Sequence, residues 1–345
     1  MASTRTVFSR FISLTSLLGL AAGCGGGAGD PAPAPPAPPT TFQREAAARS
    51  TAASHPACVA VQPFYWSVGD ASGPLADATA GGTSPDAQTV MQVASSSKWL
   101  YGAYVAELRQ GQLTDEDIRF LNFRSGHTGF DLCLQGQTVA ECQSHQGTVI
   151  HNGAYTPAHD GKFLYSGGHM QKHATLPSVG LGPDDNTALA QHLMSRLGGG
   201  MALSYTQPQL AGGVQTSASE YGKFLQRTVA GQLRIGSLLG THAVCTNPLT
   251  CADALATPIP PQESWHYSLG HWVEDDPAVG DSAFSSPGAF GFYPWIDAGK
   301  QWWGVLARHA TAGVDHADPS KRPYVQSLSC GREIRAAWVS AKARL

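Results

Sequence analysis

Apolar and polar positions along the chain fall into three regimes. Two runs of strand-like pattern, 58–67 and Gly73–Ala80, flank the turn-forming Gly69-Asp70-Ala71-Ser72, which predicts a hairpin. The run that opens at Ser95 is apolar on nearly every side from Lys98 to Leu108 and stops before Gly111; this predicts a buried helix with a glycine cap. Over 113–240 no sheet-forming repeat appears, and the pattern is loops with helical segments. One helix is predicted at Asn186–Leu197, ending on a triple glycine. Another follows Ser217, where Ser217 and Glu220 form a capping box ahead of Tyr221, Phe224 and Leu225 at helical spacing. Strand patterns return at 267–274, 289–296 and 302–308, and a closing helix is predicted over 331–343 with an apolar stripe of Ile334, Trp338 and Ala341. This order predicts an α/β sandwich of the α+β kind: an antiparallel sheet flanked by helices, with an inserted helix-rich region. The sheet domain is expected from 44–90 and 262–345, and the helix-rich region from 91–261.

The N-terminus reads differently. Arg5 and Arg10 precede an apolar run over 11–22 and then Gly23-Cys24, the layout of an export signal. The run is too short to cross a bilayer, which takes about 20 apolar residues. Leu20-Ala21-Ala22-Gly23-Cys24 resembles a bacterial lipoprotein box, in which cleavage falls before the cysteine and its thiol carries the lipid. The leucine usual at the third place before the cysteine is Ala21 here, so ordinary cleavage near Ala21 or Ala22 stays open. Residues 1–23 are thus expected as a signal peptide and 24–43 as a lipid-anchored linker. Its Gly-, Ala-, Pro- and Thr-rich part extends about 50 Å at ~3.1 Å per residue. The expected location is outside the cytoplasm, anchored to the bacterial membrane on its periplasmic or outer-membrane side.

With Cys24 carrying lipid, six of the seven cysteines remain, an even number that suits an oxidising compartment. Six cysteines allow 15 pairings. Short spacings point to Cys133 with Cys142 and Cys245 with Cys251, leaving Cys58 and Cys330 to tie the two ends together.

Composition narrows the partners and cofactors. The 345 residues are 42% hydrophobic, enough for one large or two interleaved domains with a sizeable core. Charged residues are only 14% and the net charge is −3, which offers no basic field for nucleic acid. There is no HExxH, no Cys-x-x-Cys and no Walker loop among the motifs of the chain, so no metal and no cofactor is expected. His169 and His173, four apart, share a helix face, but packed histidines are the commoner outcome of such a pair.

The chemistry concentrates at Ser95-Ser96-Ser97-Lys98. A serine hydroxyl is a weak nucleophile at neutral pH and needs an adjacent base. Serine and lysine at i and i+3 stand on neighbouring turns of a helix, and an ammonium that loses its proton on burial can accept the serine's. The N-terminal end of that helix also turns backbone N–H groups toward a developing oxyanion. The plain alternative is a capping serine and a snorkelling lysine. The apolar helix behind the pair favours catalysis, because an idle buried lysine is costly.

Several segments, in order, resemble the group of class C β-lactamases, D-alanyl-D-alanine carboxypeptidases and family VIII esterases. Val93-Ala94-Ser95-Ser96-Ser97-Lys98 looks like the nucleophile motif, and Phe120-Leu121-Asn122-Phe123-Arg124-Ser125-Gly126-His127-Thr128-Gly129-Phe130 is similar to the group's Leu-Leu-x-His-Thr-Ser-Gly loop with residues reordered. Phe163-Leu164-Tyr165-Ser166-Gly167-Gly168-His169-Met170 resembles the segment with the Tyr-x-Asn motif. Ala211–Tyr221 looks like the segment entering a helix, and Ser286-Pro287-Gly288-Ala289-Phe290-Gly291-Phe292 stands where a Lys-Thr-Gly strand belongs. The resemblance covers about 55–340 and implies a β-lactamase/transpeptidase-like fold. It implies Ser95 as acylated nucleophile, Lys98 as its proton partner, and Tyr165 as the second base, which protonates the leaving group and activates water. It also implies an oxyanion hole from the N–H groups of Ser95 and Ala289, and substrate contacts at Ser286, Gly288 and Gly167.

Two departures bear on the substrate. Gly167 replaces the Asn that helps hold an acylamino side chain, and Ser286 replaces the basic residue that faces a substrate carboxylate. Trp272, Tyr293, Trp295, Trp302 and Trp303 either line an apolar pocket or pack as core. The expected activity is therefore a serine hydrolase acting through an acyl-enzyme on a small ester, less so an amide. The alternatives are a D-alanyl-D-alanine carboxypeptidase or β-lactamase, or a non-catalytic penicillin-binding-like lipoprotein. His271 and His309 are the next candidate bases, and Arg308 is the candidate substitute cation. At the N-terminus, Cys24→Ala is expected to abolish metabolic labelling with palmitate; retained label would exclude Cys24 as the lipid site.

Overall fold

A computed structural model of the protein describes residues 37–311 and 318–345. The chain divides into Met1–Pro38 and Pro39–Leu345, and the helices and strands of the described residues belong to the second unit. The expected signal peptide, Cys24 and most of the expected linker lie outside the described residues.

The linker expected to run to residue 43 gives way earlier to a helix, Thr41–Ser54, whose start is fixed by a reciprocal capping box between Thr40 and Gln43. Cys58 lies not in a strand but in the short helix Pro56–Val59, which has proline in its first turn. The hairpin then forms from β1 (Phe64–Asp70) and β2 (Gly73–Ala80).

Six further strands join that hairpin: β3 (Val244–Cys245), β4 (His266–Ser268), β5 (His271–Glu274), β6 (Ala283–Ser285), β7 (Tyr293–Ile296) and β8 (Trp303–Ala307). Their spatial order is β2-β1-β8-β7-β6-β5-β4-β3, and every neighbouring pair is antiparallel. The strand expected at 267–274 is thus a two-strand hairpin, because Leu269 and Gly270 take positive φ values of 47° and 93° and reverse the chain. The strand expected from 289 begins only at Tyr293, since Gly288 and Gly291 close a turn before it. One strand of this eight-stranded sheet, β3, comes from within the region expected to be helix-rich, and that region also forms three small two- and three-stranded sheets of its own.

The sheet is buried on both faces. Toward one face, Tyr293 and Trp295 meet the closing helix Pro323–Ser340; Arg335 of that helix donates to the Tyr293 hydroxyl and lies 5.4 Å from the Trp295 ring. This helix starts eight residues before the expected 331, at a proline that suits a first helical position. Toward the other face, Trp303 packs on Gly222 of the Ala218–Val229 helix. Ser217 caps that helix by accepting from the Glu220 N–H, but the Glu220 side chain turns away to the Ala202 N–H, so the expected box closes on one side only.

A buried ion cluster clamps the closing helix to the sheet. Glu274 accepts from Arg335 at 2.8 Å, Arg332 at 2.9 Å and the Tyr293 hydroxyl at 2.6 Å. Burial alone would raise its pKa, but the two guanidiniums overcome this and hold it down at about 2. Disulfides join Cys58–Cys330, Cys133–Cys142 and Cys245–Cys251.

The helix that matters most, Ser97–Leu108, is buried from Ser97 through Ala106. It approaches the β4–β5 turn so closely that a Cβ on Gly102 would strike the Leu269 carbonyl, and one on Gly270 would strike the Lys98 carbonyl. Alanine normally stabilises a helix interior by about 1 kcal/mol over glycine. Here Gly102→Ala is expected to destabilise by about 1–3 kcal/mol through overpacking, read as a lower urea midpoint with unchanged slope. A higher midpoint would show that the approach is not tight.

Candidate active site

Ser95 sits in a single turn of 3₁₀ helix, Ala94–Ser96, that leads into the Ser97–Leu108 helix. Ala94, just before it, is held at φ 45°, a left-handed conformation that costs a non-glycine residue of order 1–3 kcal/mol. The turn is held in place by a ring of hydrogen bonds. Ser97 Oγ donates to the Ala94 carbonyl (2.6 Å), Ser96 Oγ to the Ser286 carbonyl (2.6 Å), Ser286 Oγ to the Ser95 carbonyl (3.0 Å) and Tyr221 Oη to the Ser96 carbonyl (2.9 Å). All three serines of the motif therefore have work: two tie the backbone, and Ser95 keeps its hydroxyl free of backbone partners.

That hydroxyl receives one bond, from Lys98 Nζ at 2.9 Å, while Nζ also donates to the Ala211 carbonyl at 2.6 Å. Lys98 is 5% exposed, and among the described residues no carboxylate pairs with it. Desolvation without a counter-charge lowers its pKa from 10.5 to about 7. A neutral amine at neutral pH, touching a serine hydroxyl, is a general base in position.

Tyr165 completes the group. Its ring stacks on Trp272 (centroids 5.3 Å apart) and meets Phe123 and Tyr267 edge-on, while its backbone N–H donates to the Ala256 carbonyl at 3.1 Å. Burial drives the pKa of its hydroxyl upward, and the contact with the Ser95 hydroxyl only partly opposes this. Lys98 Nζ lies 4.9 Å from the centre of the Tyr165 ring. At neutral pH the phenol thus keeps its proton. It can therefore donate to a leaving oxygen, while Lys98 is the group able to accept the first proton.

Ser95, Tyr165 and Ala289 open on one cleft of about 150 Å³, together with Pro258, Ile259, Trp272, Pro287 and Tyr324. Among the described residues, neither the Ser95 nor the Ala289 N–H donates to a protein acceptor, which leaves both for an oxyanion. Larger hollows of about 370 and 470 Å³ lie along Asp115–Arg119 and share no lining residue with this cleft. Their size carries no weight against the chemistry gathered at Ser95.

The three residues expected to touch substrate are placed otherwise. Ser286 is 2% exposed and spends its hydroxyl on the Ser95 carbonyl. Gly288 lies so close to the Val93 carbonyl that any Cβ would collide with it. A Cβ on Gly167 would stand 3.0 Å from the Phe130 ring and 3.2 Å from Ala211, so the space of an asparagine side chain is already filled. All three shape the walls rather than line the cleft.

The remaining candidates separate cleanly. Of the aromatic cluster only Trp272 lines the cleft; Tyr293, Trp295 and Trp303 are sheet core, and Trp302 lies under Arg44. His271 is fully buried, its pKa lowered to about 3 by desolvation, and it accepts from the Gly240 N–H. His309 packs on Phe290 outside the cleft. Arg308 is buried and bonded to the Val61 carbonyl and Gln326. His169 bonds to Ser125 and the Leu164 carbonyl, and His173 to Tyr101 and Asp117. Among the described residues no cluster able to hold a metal ion is present.

Sequence reasoning misses Pro258, Ile259 and Tyr324. The Arg322-Pro323-Tyr324 step is a usable signal, since a proline there starts the closing helix and puts Tyr324 in its first turn.

No known family's sequence profile matches the chain, and no curated protein matches it in sequence. In three dimensions it is similar to EstCE1, a hydrolase with promiscuous acyltransferase activity, at 12% identity over 87% of this chain and 99% of that one, with a TM-score of 0.57. It is also similar to a protein from Bacteroides dorei DSM 17855 assigned as a β-lactamase (19% identity, 80% and 94% covered, TM-score 0.54) and to simvastatin synthase from Aspergillus terreus (12%, 85% and 98%, TM-score 0.51). The fold is β-lactamase-like.

The lowered pKa of Lys98 sets a pH dependence. Labelling of Ser95 by a neutral fluorophosphonate is expected to rise as pH passes through about 7 and to level off above it, as the free amine becomes the main form. Stability follows with the same sign. Between about pH 7 and 10.5 the unfolded chain holds a proton at this lysine that the folded chain lacks, so folding strengthens as pH rises. A labelling rate flat from pH 5.5 to 8.5 would remove Lys98 as the base.

Proposed function

We propose that this protein is a serine hydrolase that cleaves small neutral carboxylic esters through an acyl-enzyme on Ser95. The observation that carries the proposal is the 2.9 Å contact between Lys98 Nζ and Ser95 Oγ with the lysine buried and unpaired by any carboxylate among the described residues. Ser95 Oγ adds to the ester carbonyl carbon while Lys98 Nζ takes the hydroxyl proton. The oxygen that gains the electron pair is held by the N–H groups of Ser95 and Ala289. Collapse breaks the bond to the alcohol oxygen, which leaves with a proton from Tyr165 Oη, itself resupplied from Lys98. Water then adds to the acyl-serine carbonyl while the same pair takes its proton; the bond from the carbonyl carbon to Ser95 Oγ breaks, that proton returns to Oγ, and the acid leaves.

The choice of ester rests on the cleft's lining. Pro258, Ile259, Trp272, Pro287, Ala289 and Tyr324 offer no cation to a substrate carboxylate, and Arg308 is engaged elsewhere. Phe130 fills the place from which an amide side chain would hold an acylamino group. Esters tolerate these losses better than peptides, since their leaving alkoxide is less demanding of a proton. A carboxypeptidase or β-lactamase on the same scaffold would need the missing charge. A binding role without catalysis fits poorly with a base lowered to about 7 at the nucleophile.

We propose that the enzyme works outside the cytoplasm, held to the membrane by a lipid on Cys24. The three disulfides support an oxidising compartment.

Ser95→Ala is expected to abolish ester turnover and covalent labelling with the fold intact, because the Ser95 hydroxyl caps no helix. In the wild type, kcat/KM for a short neutral ester should exceed that for a cephalosporin or a D-alanyl-D-alanine peptide by at least ~10²-fold, the scale of one lost charged contact plus a weaker one. Equal efficiency on nitrocefin would overturn the ester assignment, and undiminished turnover by Ser95→Ala would overturn the nucleophile.

A further inference from the structure

The roof of the cleft is a strap, residues 245–261, with an unusual set of fastenings. Cys245–Cys251 closes its first loop. Ala254–Ala256 pairs in parallel with Phe163–Leu164, directly before Tyr165. The Asn247 side chain then ties the far end by donating to the Pro261 and Glu263 carbonyls at 3.2 and 3.3 Å. Between those anchors Pro258 and Ile259 hang over Ser95. From outside the strap the Tyr324 hydroxyl donates to the Pro258 carbonyl, and the Glu263 N–H donates to the Pro260 carbonyl just beyond it. Pro258 and Pro260 have no N–H of their own to offer; besides these bonds the tip is held by the Ile259 N–H, which donates to Thr257 Oγ1, and by the buried Ile259 side chain.

We propose that Tyr324 is a specificity-determining latch: by holding Pro258 down across the cleft it confines the acyl group to short chains. The size supports this. At about 150 Å³ the cleft is well below the ~300–1,000 Å³ of sites that take drug-sized ligands. A cleft this small is expected to take acetyl and butyryl groups more readily than octanoyl. Releasing Pro258 lets the strap tip swing while its base stays fixed by Asn247, the disulfide and the strand beside Tyr165.

The inference deepens the acyl-enzyme reading and rests on it, so two readouts are needed. In the first, kcat/KM is measured on p-nitrophenyl butyrate and octanoate for the wild type, Tyr324→Phe and Tyr324→Ala. The wild type is expected to fall at least ~10-fold from butyrate to octanoate. Tyr324→Phe, which keeps the ring and loses only the bond, should bring that ratio within about threefold, and Tyr324→Ala should erase it. In the second, hydrogen exchange of the full protein should show amides of 252–265 exchanging at least ~10-fold faster in Tyr324→Phe. A wild type that accepts octanoate as well as butyrate, or a Tyr324→Phe variant with the wild-type ratio or unchanged exchange, overturns the latch. If the wild type hydrolyses no ester and Ser95 takes no fluorophosphonate, the acyl-enzyme reading falls instead, and the exchange result still decides whether Tyr324 holds the strap.

Discussion

A lysine buried without a counter-charge is the constraint on which the rest of this site depends. Lowering Lys98 from 10.5 to about 7 means that the folded state disfavours its ammonium by on the order of 5 kcal/mol, a large share of the stability of an ordinary domain. The sequence around it reads as a response to that cost. The helix carrying Lys98 is apolar on all sides, Gly102 and Gly270 let it press against the β4–β5 turn, and the turn before it is held by four hydrogen bonds despite the strained φ of Ala94. Loosening any of these would admit water to the amine and return it to an ordinary ammonium that cannot take a proton from Ser95.

The same packing explains why Tyr165 and Lys98 divide the proton work unequally. Both lose solvent, but burial acts in opposite directions on an acid and a base. It pushes the amine toward its neutral form and the phenol away from phenolate. The result at neutral pH is one free acceptor and one free donor a few ångströms apart, which is what attack on an ester and departure of its alcohol require in turn. A carboxylate in the cleft would spoil this by restoring the ammonium. The neutral lining of the cleft therefore serves the base as much as it selects the substrate.

How much of this is legible in the sequence depends on the range of the signal. Local patterns read well: the β1–β2 hairpin, the buried helix after Ser95 and the strand at β8 are set by periodicity within a dozen residues. The pairs Cys133–Cys142 and Cys245–Cys251 are visible from spacing, and Cys58–Cys330 by elimination. Ser286 misleads because its neighbour in space is a carbonyl 191 residues away, and nothing in Ser-Pro-Gly says whether the serine faces solvent or the nucleophile turn. Gly167 looks like a lost contact, yet the Phe130 ring that occupies its place comes from a loop 37 positions earlier. Boundaries go astray where a capping or proline signal decides them, as at Thr40 and Pro323.

That dispersal has a structural consequence. The cleft draws Ser95, Tyr165, Ile259, Ala289 and Tyr324 from five separate stretches, so its geometry depends on long-range closure, whose entropic cost grows with the chain enclosed. Two of the three disulfides each secure one of those stretches near its contribution, and the third lies beside Phe130, which packs against Gly167. Cys58–Cys330 holds the helix that carries Tyr324, Cys245–Cys251 holds the strap that carries Ile259, and Cys133–Cys142 closes the loop just after Phe130. The ion cluster around Glu274 adds a fourth fastening, between the closing helix and the sheet. With charged residues at only 14% of the chain, there are few surface ion pairs to share this task. The site thus leans on its disulfides: without them the core would persist, but the segments that bring a wall to Ser95 would lose their covalent closure.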